Sequence, residues 1–495
     1  MFIWLVIIYA LLFAFLSWRR FDIALALFFF ALPSYLIRFN IGSLPTTLLE
    51  VMLWIIFLTW TVRLIKNYKK ISLISYLLSP IGKHNKLFAV ASTLFLLAAT
   101  VSIFTSSNTL SALGEWKAFY VEPILLFFIL ITTLNTQPSS NTQKIFNFLR
   151  PRRTRLGQEF SIFKQNPKIP NLKFTIIFAL ILSGLITAIL AIYQHFTGWM
   201  VPDAFWTNQN TYRVTAWYGF PNAVGLFLAP IWPLALYLIL KNKKQETNKY
   251  KKINQKIKAW IFENWNLKII CILYLVSSPL AIYYARSTGA LVGLVAGLLF
   301  FLFFYNKKTR LIACLVSLVG LVSLVSLPAN NPIKQELLFQ NRSGQIRLAI
   351  WSETWQFLKD NPIWGAGLAS YQDKIKPYHT TVNGEGIEIF HHPHNIFLTM
   401  WVNAGLAGLI GFMLIIFAIF NFQFSIFKQF KNFSIFNLCI LSSLAIILVA
   451  GLVDSPYIKN DLAMLFWLLP AMLAAIPHNE NKKDALQCVS TKLNT

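Results

Sequence analysis

Residues 395–420 read NIFLTMWVNAGLAGLIGFMLIIFAIF, 26 residues without one Asp, Glu, Lys or Arg. A helix of that length would reach about 39 Å, more than the roughly 30 Å of hydrocarbon in a bilayer. Twelve further apolar runs lie to either side, at 2–17, 21–37, 48–65, 87–105, 117–134, 173–195, 219–240, 269–285, 288–305, 311–327, 433–453 and 461–476. Hydrophobic residues make up 56% of the chain and charged ones only 13%, about half the share of a soluble globular protein. The expected fold class is therefore all-α, a polytopic transmembrane helix bundle of about 12–13 spans. Residues 2–17 are followed, not preceded, by Arg19 and Arg20, the reverse of a cleavable leader, and are expected to stay in the mature protein.

A formal net charge of +26 suggests nucleic acid until the charges are located. Of 44 Lys and Arg, 33 fall in alternate connections between the runs, chiefly 61–86, 135–173 and 241–268. That bias is the signature of positive loops retained on the cytoplasmic side. No nucleic-acid partner is expected; membrane lipid is. The chain divides into N-terminal helices with a basic cytoplasmic loop (1–172), a membrane core (173–476) and a basic cytoplasmic tail (477–495). Cys271, Cys314, Cys439 and Cys488 are scattered without metal-type spacing, so neither a disulfide framework nor a cysteine zinc site is expected.

One connection on the opposite side is unlike the rest. Residues 328–394 are polar and Trp-rich, and form a single large, mostly helical extracytoplasmic loop. Ile346, Ile350 and Phe357 share a helical face with Arg347, Trp351 and Trp355 beside them, and Asp360-Asn361-Pro362 ends the helix. An amphipathic helix on the outer membrane face is expected. Gly365 and Gly367 read as a turn that folds the loop back.

His394 closes this loop, in Phe390-His391-His392-Pro393-His394, with Pro393 expected in the first turn of the next helix. A neutral imidazole can take a proton from a hydroxyl nucleophile; the bland alternative is an interfacial cap. A metal cluster of His391, His392 and His394 has poor ligand spacing and no evident carboxylate partner, so no metal and no cofactor are expected. Arg213 precedes one apolar run, and Arg286 occupies a short turn between two others. Guanidinium groups at the membrane face are costly without a role, and their forked donors suit phosphate; snorkelling to lipid phosphates is the alternative. The loops on this side lack the Asp-x-Asp, Asp-Asp or Glu-x-Asp pair that would hold a divalent ion beside a sugar diphosphate. Arginines would have to neutralise phosphate instead.

Several motifs together resemble the O-antigen ligase and O-antigen polymerase superfamily. They are His394-Asn395-x-x-Leu398 with Trp401-x-x-x-Gly405-x-x-Gly408, and Arg347-x-x-x-Trp351, Asn361-Pro362-x-x-Gly365-x-Gly367 and Tyr371 upstream. Ala285-Arg286-Ser287-Thr288-Gly289-Ala290 is similar to the family's Ser-Arg-Gly-type turn, with Ala285 and one extra residue as departures, and Arg213 to Asn222 resembles the segment before the preceding helix. The resemblance covers about 213–410. It implies a metal-independent glycosyltransferase in the cytoplasmic membrane, working on its extracytoplasmic side. The donor would be an undecaprenyl-diphosphate-linked glycan, and the acceptor a hydroxyl of a glycolipid, glycan or protein. His394 would activate that hydroxyl, Arg213 and Arg286 would hold the diphosphate, and Arg347 would support the phosphates or position the loop. Asp454 resembles an acidic family position; Asn395 and His391 are supporting residues, and His391 and His392 compete with His394 for its role. A polymerase is the near alternative. A lipid-linked glycan transporter is the distant one, expected to carry ionisable residues along a central path.

Overall fold

The computed structural model describes residues 2–42, 44–67, 86–135, 172–207, 212–246, 257–382, 384–430 and 433–474. Nearly all of the basic loop at 135–172, part of that at 241–268, and the tail with Cys488 lie outside the described residues.

Every apolar run becomes a helix. These are α1 (Phe2–Arg19), α2 (Phe21–Phe30), α3 (Leu48–Asn67), α4 (Lys86–Val101), α5 (Thr109–Glu115) continued through a π-turn into α6 (Glu122–Asn135), α7 (Leu172–Thr197), α8 (Asn222–Glu246), α9 (Ile257–Tyr284), α10 (Thr288–Tyr305), α11 (Lys307–Ser326), α13 (Ile396–Phe430), α14 (Ile435–Ala450) and α15 (Asn460–Ala474); α12 (Arg342–Asp360) is the helix of the large loop. Among the described residues, eight helical stretches are long and apolar enough to cross a membrane, and five shorter ones match the remaining runs. The protein is a polytopic helical membrane protein. α2 falls short of a full crossing because Pro33 turns the chain into a 3-10 segment, Leu32–Leu36. Two short hairpins interrupt the helical pattern, Arg38–Ile41 with Leu44–Thr47 and Thr381–Val382 with Glu385–Gly386.

Burial separates the middle of the bundle from its lipid face. In α8, 72% of the apolar stretch is buried, against 6% in α11. In α15 every residue from Asp461 to Leu473 is buried. α10 lies tight on α14 through small residues: a Cβ on Gly293 would stand 2.9 Å from the Ile446 carbonyl oxygen, and one on Gly297 would stand 2.4 Å from Ile446 Cγ1. The glycines beside Arg286 thus serve helix packing.

α13 is broken at Gly405, whose φ of 67° no helix accommodates. A break leaves backbone groups unpaired, which an apolar setting does not tolerate. The large loop supplies the partners: Ala366 and Gly367 donate backbone N–H groups to the Val402 carbonyl at 2.7 and 3.2 Å, and Leu406 donates to the Ile363 carbonyl at 2.9 Å. Gly365 and Gly367, at φ 62° and 85°, make the expected turn, and it docks into the break.

α12 ends at Asp360 as expected and is capped by Asn341, which accepts from Gly344 N at 2.7 Å. It buries Ile350, Phe357 and Leu358, with Ile346 only half-buried. Phe357, Leu358, Ala366, Tyr371, Ile375 and Val402 form a small second core, so this helix is seated on α13 and on its own loop. Glu353 is buried beneath it and accepts from Thr380 N and Oγ1 at 2.8 and 2.6 Å. Some ionisable groups do enter the bundle. Lys117 bridges to Glu50 at 2.8 Å, and the fully buried Glu122 accepts from Trp54 Nε1 at 3.1 Å. Glu50 lies in the first turn of α3, where Asn460 from the start of α15 donates to its other oxygen, so that pair belongs to one end of the bundle.

A Gly405→Val substitution adds a Cβ 2.4 Å from the Ile363 carbonyl at a left-handed position. It is expected to destabilise the protein by about 2 kcal/mol or more, read as a lower melting temperature in nanodiscs. Gly320→Ala in α11, where a Cβ meets nothing within 4 Å, is the neutral control.

Candidate active site

Four chain segments meet at one end of the bundle: the stretch before α8, the α9–α10 turn, the last residues of the large loop, and the α14–α15 connection. The first is pinned from α7. Gln194, fully buried, accepts from Thr215 N at 3.0 Å and Ala216 N at 2.7 Å, and donates Nε2 to the Ala216 carbonyl at 2.8 Å. The α14–α15 connection is tied to the start of α13. Ile396 N donates to the Gly451 carbonyl at 2.7 Å, Asn395 Nδ2 donates to the Leu452 carbonyl at 2.9 Å, and Thr399 and Ser455 hydroxyls meet at 2.7 Å.

Asn395, not Pro393, opens α13. Its Oδ1 caps the Phe397 and Leu398 amides at 3.0 and 3.1 Å. Pro393 and His394 therefore precede the helix, which corrects the placement expected of Pro393. His394 has a positive φ of 49°, as have Arg286 at 47° and Ala216 at 48°. Such backbone is rare outside glycine and clusters at functional sites.

A hydrogen-bonded chain joins the candidate residues. Arg213 Nη2 donates to Asn222 Oδ1 at 2.6 Å; Asn222 Nδ2 donates to Asp454 Oδ2 at 2.8 Å; Asp454 Oδ1 faces His394 Nδ1 at 3.3 Å and accepts Ser455 N at 2.8 Å. Arg213 also donates Nε to the Ala285 carbonyl at 2.8 Å and Nη2 to the Arg286 carbonyl at 3.1 Å, with its guanidinium 5.2 Å from the Trp206 ring centre. Arg286 is exposed, on the turn that Arg213 grips. Arg347 donates Nε to the Val453 carbonyl, next to Asp454, at 3.0 Å and Nη1 to Ser343 Oγ at 3.0 Å. Arg213 Nη1 and Arg347 Nη2 have no hydrogen-bond acceptor among the described residues. The structure thus brings Arg213, Arg286, Arg347, Asn395, His394 and Asp454 together. His391 is exposed and reaches the group only through its field at His392.

The electrostatics follow from burial and crowding. Burial pushes the Arg213 pKa down to about 10, with Arg347 and Arg286 adding to the depression. Burial alone would push the Asp454 carboxyl up; the His394 hydrogen bond and the charges of His394, His392 and Arg347 outweigh it and hold the carboxyl well below its usual range. Burial, then His394, pushes His392 down to about 3.

His392, His394 and Asp454 present ligand atoms all within 4.8 Å of one another. The carboxylate partner that the His-rich stretch lacks in sequence is Asp454, 60 residues on. Beside the network a groove of about 530 Å³ is lined by Trp351, Ser352, Trp355, Asn395, Phe397 and Leu398.

Sequence reasoning passed over Gln194 and Lys459, and gave Asn222 no role beyond its place in a matched segment. A glutamine inside an apolar run is a signal it could have used, since an amide in hydrocarbon demands partners. Asn222 carried only the weaker signal of a Pro-Asn helix start. Lys459 stands 3.4 Å over the Phe220 ring and 5.8 Å from Tyr218, and burial pushes its pKa down to about 8.

No curated protein matches the chain. Residues 272–413, less than a third of the chain, match the family model described as O-Antigen ligase, and that stretch holds Arg286, Arg347 and His394.

Proposed function

We propose that the protein is a membrane glycosyltransferase of the O-antigen ligase type. It moves a glycan from an undecaprenyl-diphosphate carrier to an acceptor hydroxyl on the outer face of the cytoplasmic membrane, without a metal and with inversion. The observation that carries this reading is the continuous chain Arg213–Asn222–Asp454–His394. With Asp454 ionised, the His394 proton belongs on Nδ1, and Nε2 is left as the base. In the reaction the acceptor oxygen bonds to the anomeric carbon, its proton passes to Nε2, and the carbon–oxygen bond to the diphosphate breaks with the electron pair leaving on phosphate. The leaving group gains charge as that bond breaks, so preorganised guanidinium donors stabilise the transition state most. Arg213, Arg286 and Arg347 supply them, with Nη1 of Arg213 and Nη2 of Arg347 left to donate.

The charge distribution supports the outer face, because the connections that form the site hold few of the 44 Lys and Arg. Three arginines around one carboxylate also make a poor home for a catalytic divalent cation, which they would repel. The aromatic groove beside Asn395 offers room for the carrier tail or the sugars. Ligase and polymerase differ only in the acceptor that enters, and a polymerase is the near alternative.

The test is transfer by purified protein from an undecaprenyl-diphosphate glycan, with candidate acceptors and chelator present. His394→Ala is expected to lower the rate about 10²–10⁴-fold, and Arg213→Ala and Arg286→Ala about 10²-fold each. Full activity in His394→Ala, or activity abolished by chelator, overturns the mechanism. Asp454→Asn keeps the shape but no longer favours the Nδ1–H tautomer; a loss of about 10⁴-fold is the limit set by a comparable triad.

Lys459 gives a pH signature. Asp454 and Asp461 face it with opposite charge and Arg38 with like charge, over Phe220 and Tyr218. With its pKa lowered to about 8, it is cationic below pH 8 and loses that charge as pH rises through 8. If its charge aids the donor, transfer declines above pH 8, and Lys459→Arg carries the plateau to higher pH. An unchanged alkaline limb in that variant removes Lys459 from the reaction.

A further inference from the structure

We propose that His392, His394 and Asp454 form an inhibitory site for a zinc-class divalent cation, which silences transfer by capturing the imidazole of His394. The inhibitory half rests on the reading of His394 as the base; the binding half stands without it. Two imidazoles and one carboxylate are a zinc-type donor set, and zinc bonds of about 2.0–2.2 Å bring ligand atoms to roughly 3.3–3.5 Å from one another. His394 Nδ1 and Asp454 Oδ1 already stand 3.3 Å apart, and the three ligand atoms all lie within 4.8 Å. A small inward movement of His392 completes the set. That ring packs edge-to-face on His394 with centres 4.8 Å apart, with only Pro393 between them in the chain.

The surroundings are already those of a ligand set. Asn222 Nδ2 takes Asp454 Oδ2 at 2.8 Å and leaves Oδ1 turned to the imidazoles, the kind of second contact that orients metal ligands. Three protein ligands leave a fourth position for water, and the exposed His391 stands next in the chain. The arginines that repel a catalytic metal also weaken this one, so the site is a brake that fills when zinc is plentiful. Binding through Nδ1 shifts the ring proton to Nε2, so that Nε2 can no longer take the acceptor proton; binding through Nε2 occupies that lone pair directly. Either mode removes the base.

The experiment uses full-length protein in nanodiscs, purified without a polyhistidine tag, and Co²⁺ as the probe. One equivalent of Co²⁺ is expected to give the visible absorption of a four-coordinate site, bleached by added Zn²⁺ and lost in His392→Asn and in Asp454→Asn. In the transfer assay, saturating Zn²⁺ is expected to lower the wild-type rate at least tenfold, with recovery on adding chelator. Whatever its basal rate, His392→Asn should transfer equally fast with and without Zn²⁺. A cobalt spectrum unchanged in His392→Asn, or no four-coordinate spectrum in the wild type, overturns the proposal. A wild-type cobalt site in protein that performs no transfer under any condition supports the metal site and overturns the transferase reading.

Discussion

A carboxylate that is only 7% exposed, in a protein otherwise built for hydrocarbon, has to be held by donors or it will not stay charged. Asp454 is so held, by Asn222, by the Ser455 amide and by His394. Those three donors come from three chain segments, and each has to be delivered to the same few ångströms. Much of the extramembrane architecture can be understood as that delivery. Gln194 clamps the stretch that leads to Asn222, Asn395 caps α13 and ties it to the Asp454 connection, and the α9–α10 turn is gripped by Arg213. Remove the carboxylate, and the imidazole loses its orienting partner while Arg213 and Arg347 lose a counter-charge.

The broken helix plays the second part. An unbroken α13 would leave the large loop little to bind, since a regular helix in lipid satisfies its own backbone. The break at Gly405 exposes backbone groups, and the Ile363–Gly367 turn fits them. This fastens the loop at its middle. α12 is then fixed between that dock and the Trp351 Nε1 bond to the Pro393 carbonyl at 2.9 Å, so Arg347 and His394 are placed by one rigid body. The cost of a left-handed Gly405 is small because the residue has no Cβ.

Much of the fold was legible because hydrocarbon imposes a one-dimensional code: uncharged stretches of a set length, separated by polar connections. Each apolar run became a helix, and α12 ended at Asp360 where Asn361-Pro362 forbids its continuation. What stayed illegible was of another kind. The role of Gly405 depends on a loop 40 residues earlier, and the shortness of α2 on a local proline turn within one apolar run. At the site, Arg213 and Arg286 announced themselves as expensive residues at a membrane face and His394 as an imidazole at a helix start, while Arg347 was marked out only by the family resemblance. Asn222 and Gln194 did not stand out, since an uncharged amide costs less and its value lies wholly in what it bridges. The pairing of Asp454 with the histidines crosses 60 residues, and no local pattern reports it.

Of the six non-glycine residues with positive φ among the described residues, three, Ala216, Arg286 and His394, lie where the candidate site is built. A left-handed L-residue costs roughly 1–2 kcal/mol, and these three lie on three different segments that meet at the site. Two of them carry the groups that would touch substrate. In a connection of a few residues, an ordinary backbone lays a side chain along the membrane surface; the left-handed turn re-aims it. The neighbouring hydrogen bonds over-determine each position: Arg213 holds the Arg286 carbonyl, Gln194 holds both the Ala216 amide and carbonyl, and Asp454 holds the His394 ring. The pattern is that of a site preorganised before substrate arrives, in which strain is distributed over short turns and offset by buried polar contacts. Arginine suits such a site better than lysine, because its planar fork can bond a carbonyl along one edge and still offer donors along the other.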